Sequence, residues 1–358
     1  MLHRKTNDDL GYSVSKTFVS DIKEGVEVSG VFLVDVAHRR FTKAKKEYLK
    51  LVLVDKTGQI ESVMWDETME KNPDAGALGG GVFIDLDGRA NVNRYTNKVE
   101  VVLNRLRIVS ADDLDIGDFL PKTERDIDEL KAELKAVLAE VDDAHVGRLL
   151  DKIFKDKEIF AAFTLAPAAK GFHHAYLGGL LEHSVCVAQL AVSTAAHYPA
   201  IDKSLLIAGA LLHDIGKMTE FDYTTKIDYS TNGRLQGHIV LGNELVLKAA
   251  DSIKGFPGDL KAQISHLILS HHGEPEYGAA VRPKTLEAVI LNLLDNVDAK
   301  VNGWLGVAKK YDDGVEWTEF QQMFNDFLYL GTRRREEPPA VAPTAIKDEP
   351  ADEPETLF

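Results

Sequence analysis

The hydrophobic residues of this chain change their spacing once, near residue 110, and that change divides the sequence into two kinds of structure. From about residue 20 to residue 109 apolar and polar residues alternate, and glycine, asparagine and aspartate separate the runs. Beyond residue 122 apolar residues recur every three or four positions. Alternation is typical of strands, and the longer period is typical of amphipathic helices. The sequence therefore predicts an α+β chain of two parts, a β domain and then an all-α region.

The β part contains five runs with strand character, at 26–36, 47–55, 58–66, 81–92 and 98–109. The tetrapeptide DKTG at 55–58 is a tight hairpin signal between the second and third runs. Five short strands with a glycine-rich connection before the fourth suit a Greek-key barrel of the OB type. The pattern alone also permits an unspecified five-stranded β domain. We predict an OB-type domain over residues 15–110, followed by a linker at 111–122.

The helical part is predicted to span residues 123–330, with a core at about 170–302. Thr123 and Asp126 resemble a capping box that would open its first helix, in which Leu130, Leu134 and Val137 share one apolar face. Further helices are predicted at 145–163, 178–197, 203–214, 237–254, 259–272, 285–302 and 317–330. Gly216 is predicted to end the helix that carries His213 and Asp214.

Composition and charge indicate the compartment that this chain would occupy. The formal net charge is −15, and residues 336–358 hold seven acidic residues, one lysine and five prolines. Such a segment buries too little apolar surface to fold, so we predict a disordered acidic tail there. The one cysteine, Cys186, allows no internal disulfide and indicates a reducing compartment. No apolar run is long enough to span a membrane, and we therefore expect a cytoplasmic protein with no membrane partner.

Histidines and aspartates recur in separate helices of the second part. Successive groups are 30, 25, 33 and 24 residues apart, which allows one helix and a return each time, so a bundle could bring them to one point. Imidazole nitrogens and carboxylate oxygens are ligands for Mn, Fe, Zn or Ni. The set is large enough for two ions, with Asp214 as a bridging ligand. The predicted metal ligands are His183, His213, Asp214, His238, His271, His272 and Asp295.

These residues carry a resemblance. The pattern of His183, His213–Asp214 and Asp295 resembles the HD-domain metal-dependent phosphohydrolases. The blocks HHAYLGGLLEH, ALLHDIGK, GHIVLGNE, HLILSHHGEPEYG and LLDNVDAK, preceded by an OB-type domain, are similar to the YhaM family of 3′→5′ exoribonucleases. The likeness covers roughly residues 15–325. It implies hydrolysis of single-stranded RNA from the 3′ end, with two divalent metal ions, expected to be Mn²⁺.

Roles for the individual residues follow from the metal interpretation and the resemblance together. Asp214, Lys217 and His272 are the predicted catalytic residues, with Lys217 as a point charge near a phosphate. Neighbours on a helix point about 100° apart, so His271 is the predicted ligand, and His272 is a second ligand or a phosphate contact. Asp298 shares a face with Asp295 and is expected to hold a metal ligand in place.

Two segments of the β domain are basic and contain aromatic residues, as single-strand binding requires. Residues 38–50, between the first two strands, hold six Lys or Arg and one glutamate, and a second cluster connects the fourth and fifth strands. In OB-folds these connections flank the oligonucleotide-binding face. The predicted nucleic-acid-binding residues are Arg39, Arg40, Phe41, Lys43, Lys45, Lys46, Tyr48, Arg89, Arg94, Tyr95 and Lys98.

We therefore expect an exoribonuclease that binds single-stranded RNA with its barrel and cleaves it at a two-metal site. Single-stranded DNA is a further candidate substrate. One alternative is a phosphodiesterase of small or cyclic nucleotides, which would not need residues 1–110 for turnover. A second is a regulatory module that binds nucleic acid and holds a structural metal. It is disfavoured because the potential ligands exceed what a closed structural site uses. The sequence leaves self-association into a homo-oligomer open.

Overall fold

A computed structural model describes residues 17–312 and 314–331 of the chain. The chain divides into two compact units, one ending at Gly303 and a smaller one beginning at Trp304. The predicted acidic tail at 336–358 lies outside the described residues. Within the described residues, no helix combines the length and the apolar character that a membrane crossing would need.

The β region is a closed five-stranded barrel, as predicted. Its strands are β1 (Glu27–Phe41), β2 (Glu47–Asp55), β3 (Gly58–Trp65), β4 (Val82–Val92) and β5 (Val99–Val109). Neighbouring strands follow the order β1-β2-β3-β5-β4, and a short parallel pairing of β3 with β5 closes the barrel. This order is that of the OB type. Alternate residues such as Leu49, Leu51 and Leu53 on β2 point inward and are buried.

The loops predicted to bind nucleic acid extend from opposite ends of the barrel. Glu27 near the start of β1 pairs with Arg89 near the end of β4, and Val34 pairs with Val82 at the start of β4. The β4–β5 connection therefore lies beyond the start of β1, and the β1–β2 connection lies beyond its end. A strand of nucleic acid that touched both loops would cross the barrel wall between them.

The helical region begins after the linker, which contains two short 3-10 turns. A four-residue helix α1 (Asp66–Met69) already follows β3, and a two-stranded sheet of β6 (Phe221–Asp222) and β7 (Asp228–Tyr229) interrupts the bundle. The remaining helices are α2 (Ile127–Ala139), α3 (Ala144–Phe154), α4 (Lys157–Leu165), α5 (Gly179–His197), α6 (Lys203–Leu212), α7 (Lys217–Glu220), α8 (Thr231–Asp251), α9 (Gly258–Ser270) and α10 (Leu286–Ala308).

Aspartates cap several of these helices, and they correct two predictions. The N-cap of α2 is Asp126, whose carboxylate accepts from the backbone N–H groups of Asp128 and Glu129. Thr123 is not part of a capping box, because its hydroxyl accepts from the N–H of Arg125 and donates to Glu182. The helix predicted at 145–163 is two helices, since the chain breaks at Asp156, which caps α4 by accepting from Glu158 and Ile159.

The helix predicted at 317–330 is wrong. In the smaller unit Trp317 bridges Tyr329 and Gln321 bridges Asp326 in antiparallel fashion, so the chain doubles back on itself. Aromatic rings hold the two arms together, with the centroids of Trp317 and Tyr329 5.0 Å apart. Apolar spacing suggested a helix, but the side chains at these positions meet across a turn.

Candidate metal centre

Two buried histidines, His183 and His213, meet at the centre of the helical region. His183 lies in the first turns of α5 and His213 is the residue directly after α6. Neither is exposed to solvent, and their Nε2 atoms are 3.1 Å apart. The two helices bring the rings together because the first half of α5 and almost all of α6 are buried in the core.

The carboxylate of Asp214 lies between two pairs of imidazoles. Its Oδ2 atom is 3.4 Å from Nε2 of both His183 and His213. Its Oδ1 atom is 3.4 Å from Nε2 of His238 and 3.6 Å from Nε2 of His271. The four rings come from α5, the end of α6, α8 and the end of α9, so one carboxylate joins ligand groups from four separate helices.

Asp295 and His272 complete a group on each side of Asp214. Asp295 on α10 places Oδ1 3.3 Å from Nε2 of His183 and 3.9 Å from Nε2 of His213. On the other side, ligand atoms of His238, His271 and His272 all lie within 4.8 Å of one another, as do those of His183, His213 and Asp295. All seven predicted ligands are therefore brought together.

The ring nitrogen that faces away from Asp214 has an oxygen partner in each of four histidines. Nδ1 of His213 donates to the carbonyl of Ala210, and Nδ1 of His271 donates to that of Ile268. Nδ1 of His238 bonds to Glu220, and Nδ1 of His272 bonds to the carbonyl of Tyr277. These partners fix the tautomer, because a proton on Nδ1 leaves a lone pair on Nε2. The lone pairs therefore point into the centre.

His183 is held in the same way by a carboxylate. Asp298, one turn after Asp295, accepts a hydrogen bond from Nδ1 of His183 at 2.7 Å and one from Nε2 of His174 at 2.8 Å. This is the position that its spacing from Asp295 indicates. His174 is buried and has φ of 49°, so its backbone is held in a region that non-glycine residues seldom adopt. The sequence analysis missed this structural role of His174.

Burial and nearby charges shift the pKa values of Asp214, His271 and His272 in directions that suit metal ligands. Burial alone would raise the pKa of Asp214, but the positive charge of Lys217 and contacts with His213 and His183 hold it well below its usual value. Burial lowers the pKa of His271, and it lowers the pKa of His272 to about 4. At neutral pH these two rings are therefore uncharged and can donate a lone pair.

The residues present fit divalent metal ions. Oδ1 of Asp214 and Nε2 of both His238 and His271 are buried and have no hydrogen-bond partner among the described residues. Unpartnered buried polar atoms are costly, and here they are all metal-ligating atoms aimed at one point. A cation held by nitrogen and oxygen donors of this kind would relieve this cost.

Comparison with known proteins agrees with this geometry. The family model described as the HD domain matches residues 180–300, which include all seven predicted ligands. A protein of Shouchella clausii named 3′-5′ exoribonuclease YhaM is 31% identical over 78% of this chain and 85% of its own length. The chain belongs to the YhaM family. Its relatives of the same name in Bacillus subtilis and Oceanobacillus iheyensis are each 32% identical, over 86% and 90% of their lengths.

YhaM-family membership makes the chain a hydrolase. The barrel resembles the second OB-fold domain of replication protein A from Methanococcus maripaludis, at 17% identity and a TM-score of 0.22, over 27% of this chain and 96% of that one. At that TM-score the likeness carries no weight, and the strand order alone assigns the barrel to the OB type.

In this YhaM-family chain Lys217 lies against the centre and not beyond it. Its Nζ atom is 2.5 Å from Oδ2 of Asp214, and its side chain is only 10% exposed. It is the first residue of α7, a short helix that leaves the centre directly after Gly216. A phosphate contact, as predicted from the sequence, would require Lys217 to share its charge between Asp214 and the substrate.

Gly216 does not end α6 by adopting a left-handed conformation, so that prediction is wrong. Its φ of −66° is helical. The helix α6 already ends at Leu212, and the role of Gly216 is close packing. A Cβ atom at this position would lie 2.0 Å from the carbonyl oxygen of His238 and 2.5 Å from the nitrogen of Gly242. Glycine therefore lets α8 approach closely enough for His238 to reach Asp214.

The predicted nucleic-acid-binding residues of the YhaM-family barrel are mostly exposed, though several are already paired. Arg39 bonds to Glu47 and to the carbonyl of Gly76. Lys46 forms an ion pair with Asp66, and Arg89 is 3.7 Å from Glu27. The exposed members also include Arg40, Phe41, Lys43, Lys45, Arg94, Tyr95 and Lys98.

One aromatic residue on this surface was missed. Trp65, the last residue of β3, is 43% exposed, and its ring centroid is 5.2 Å from that of Tyr48 on the paired strand β2. Phe41 is 68% exposed at the end of β1. The alternation of β3 could have indicated an outward-facing tryptophan, because successive residues of a strand point to opposite faces.

Proposed function

We propose that this protein is a metal-dependent 3′→5′ exoribonuclease that hydrolyses phosphodiester bonds of single-stranded RNA, with single-stranded DNA as a second substrate. The observation that carries the proposal is the carboxylate of Asp214, whose two oxygens face two separate groups of metal-ligating atoms. The names of the YhaM relatives support RNA as the substrate and the 3′ end as the starting point.

In this proposal two divalent ions, Mn²⁺ by preference, are held on either side of Asp214. His183, His213 and Asp295 would hold one, and His238, His271 and His272 would hold the other. Bound there, the ions would supply Lewis-acid stabilisation of a phosphate and a water of lowered pKa. Catalytic contributions from the chain itself come from Asp214, which is kept ionised, and from Lys217, which places a positive charge where a phosphate oxygen would approach.

The proposal assigns different tasks to the two parts of the chain. Residues 15–110 would bind the strand through exposed cations and the aromatic surface around Tyr48 and Trp65, which suits sequence-tolerant binding. Residues from about 170 to 302 would bind metal and cleave. Nδ1 bonds such as those of His213 and His271 keep the ligand nitrogens oriented, so that little reorganisation is needed when a substrate arrives.

The central test is incubation with RNA labelled at either end. We expect mononucleotides from the 3′ end of single-stranded RNA with Mn²⁺, and no product with a chelator. Asp214→Ala should abolish the activity, whereas Asp251→Ala, at an exposed carboxylate paired with Lys261, should leave it intact. Release of product from the 5′ end, or activity that survives Asp214→Ala, would overturn the proposal.

The number of ions can be tested separately from activity. Native mass spectrometry with Mn²⁺ should show two ions per chain. His271→Ala should remove one of them, and Asp214→Ala should remove both, because Asp214 faces both groups. A single ion in the wild-type protein that survives His271→Ala would show that only the group around His183 binds metal.

A further inference from the structure

A second basic and aromatic cluster lies outside the barrel, beside the β6–β7 hairpin. It consists of Lys170, Lys226, Asp228, Tyr229 and Arg234, and we call it the hairpin cluster. Oδ1 of Asp228 accepts from Lys170 at 2.8 Å and from Arg234 at 3.0 Å, and Lys226 is 3.4 Å from Oδ2. Asp222 lies opposite Asp228 on the paired strand. The three cations therefore outnumber the two carboxylates by one, in a protein whose net charge is −15.

Tyr229 adds an aromatic surface to these charges. The residue is 40% exposed. Lys170 Nζ lies 5.7 Å from the centroid of its ring, and the guanidinium carbon of Arg234 lies 5.5 Å from it. The ring of Phe221, on the paired strand, supports it at 5.3 Å. Cations beside a supported, partly exposed ring are the combination that binds a nucleotide by its phosphate and its base.

Each element of the hairpin cluster also carries a part of the metal centre. Tyr229 pairs with Phe221, which directly follows Glu220, the partner of His238. Arg234 is four residues before His238 on α8, and the backbone N–H of Ser230 donates to the carbonyl of Glu220 at 2.9 Å. The base of the hairpin is therefore fixed to the metal centre by backbone as well as side-chain bonds.

Lys170 is also linked to the metal centre along the chain. It lies three residues before His173, whose ring centroid is 5.9 Å from that of His183. Nδ1 of His173 is buried and has no partner among the described residues. The segment that leads into α5 thus joins the cluster to the first predicted metal ligand.

The tip of the hairpin reaches the barrel. A Cβ atom at Gly81, directly before β4, would lie 3.7 Å from the hydroxyl oxygen of Thr225. Gly81 has φ of 78°, and its N–H donates to the carbonyl of Val34 on β1, so this corner of the barrel is well defined. The hairpin contacts the barrel at one end and the metal centre at the other, and the cluster lies along that connection.

We propose that Lys170, Tyr229 and Arg234 bind single-stranded RNA between the barrel and the metal centre, with the cations on a phosphate and the ring against a base. The identity of this ligand rests on the proposed function. The site takes any base, because stacking on a tyrosine ring uses only the aromatic face. It would hold the strand close to the point of cleavage.

Binding and cleavage can be separated by two assays. Affinity for a fluorescein-labelled oligouridylate is measured by anisotropy in chelator, and turnover of the small diester bis(p-nitrophenyl) phosphate is measured with Mn²⁺. The variants are Tyr229→Ala, Tyr229→Phe, Lys170→Gln and Arg234→Gln. The matched control is Lys261→Gln, which removes a lysine that pairs with Asp251 on the helical region.

Tyr229→Ala should weaken RNA binding between about 5-fold and 150-fold, and Tyr229→Phe should retain it because the aromatic face remains. Lys170→Gln and Arg234→Gln should each reduce the slope of log affinity against log salt by about 0.7. Turnover of the small diester should not change, since it needs no strand. Wild-type protein that binds RNA without degrading it would defeat the proposed function and leave this site standing.

The inference is overturned if Tyr229→Ala binds RNA as tightly as Lys261→Gln does. It is also overturned if Tyr229→Ala lowers the melting temperature, RNA affinity and small-diester turnover together, because the cluster would then be only a structural network of ion pairs. A Tyr229→Phe variant that is folded but does not regain RNA affinity would overturn it as well.

Discussion

Each imidazole around Asp214 is oriented by a hydrogen bond to its other ring nitrogen, and the sequence does not reveal the partner in that bond. The carbonyls of Ala210 and Ile268 are three residues before His213 and His271, so the helix ends themselves supply these acceptors. For His183 the acceptor comes from a distant helix, through Asp298. The orientation of His183 is therefore the one that a single substitution can disturb most cleanly.

We predict that Asp298→Asn lowers the affinity for Mn²⁺ by about 10-fold to 100-fold, the usual effect of removing the partner of a ligating histidine. The amide has no charge to hold the N–H groups of both His183 and His174. Isothermal titration with Mn²⁺ measures the effect, and circular dichroism checks the fold. Asp251→Asn is the control, and equal affinities for the two variants would contradict the prediction.

Cys186 provides a second prediction at this scale. Burial, with the negative charge of Asp298, raises the pKa of its thiol to about 11. A raised pKa means less thiolate at a given pH, and at pH 8 the thiolate should be about 100-fold scarcer than at the ordinary value. Reaction with a disulfide reagent should be slow in native protein and fast in denaturant. Fast reaction without unfolding would show that the thiol is accessible and ionised.

At the scale of elements, the short turn between α6 and α7 decides how closely α8 packs. Gly216 is in contact with the backbone of His238 and Gly242, and the helix α8 is kinked at Gly237, where φ is 72°. The kink allows the N–H of His238 to donate to Glu220 while its ring turns towards Asp214. A side chain at position 216 would push these two backbones apart.

We predict that Gly216→Ala lowers the free energy of unfolding by about 1–3 kcal/mol through overpacking, and that it also weakens Mn²⁺ binding because His238 is displaced. Gly147→Ala is the matched control. It lies within α3 with nothing within 4 Å of the added Cβ atom, so it should raise stability by about 0.5–1 kcal/mol. Urea unfolding of both variants measures the difference. Equal free energies of unfolding for Gly216→Ala and Gly147→Ala would contradict the prediction, because α8 could then move away from position 216 without loss of stability.

Elements with one strong periodicity could be predicted from the sequence, and those decided by a single polar contact could not. The five strands and the helices of the ligand set follow their apolar spacing closely. The break at Asp156 and the use of Thr123 depend on which nearby group a side chain bonds, and several choices satisfy the same pattern. Trp317, Phe320 and Phe327 fit both a helix and a turn, and only their packing distinguishes these.

More of the metal centre than of the proposed RNA-binding surface could be predicted from the sequence. Histidines in apolar helices stand out because burial without a partner is costly. Exposed residues such as Trp65, Lys170 and Tyr229 have no such cost, and whether they form a binding surface depends on which neighbours the fold gives them. The sequence therefore indicated which residues meet at the centre but not their tautomers, and it indicated the basic loops but not the hairpin cluster.

At the scale of the whole molecule, charge is distributed unevenly. The chain carries 42 basic and 57 acidic residues, yet exposed cations cluster on the barrel connections and beside the hairpin. A polyanion would be repelled by the average surface and attracted at these clusters. Binding should thus depend on salt much more strongly than the net charge would suggest.

We predict that RNA affinity falls steeply with salt, and that the double variant Arg40→Gln with Lys43→Gln reduces the slope of log affinity against log salt by about 1.4, since each phosphate that is no longer neutralised accounts for about 0.7. The control is Lys131→Gln with Lys155→Gln, which removes two lysines that pair with acidic residues of their own helices. Anisotropy from low to moderate salt measures both. Parallel slopes for the two double variants would place the RNA away from the β1–β2 connection.

The seven predicted ligand residues are spread from His183 to Asp295, and Asp214 contacts residues from both directions along the chain. During translation the set stays incomplete until Asp295 has left the ribosome and α10 has packed. A nascent polypeptide therefore cannot complete this centre before the segment that carries Asp295 has been synthesised.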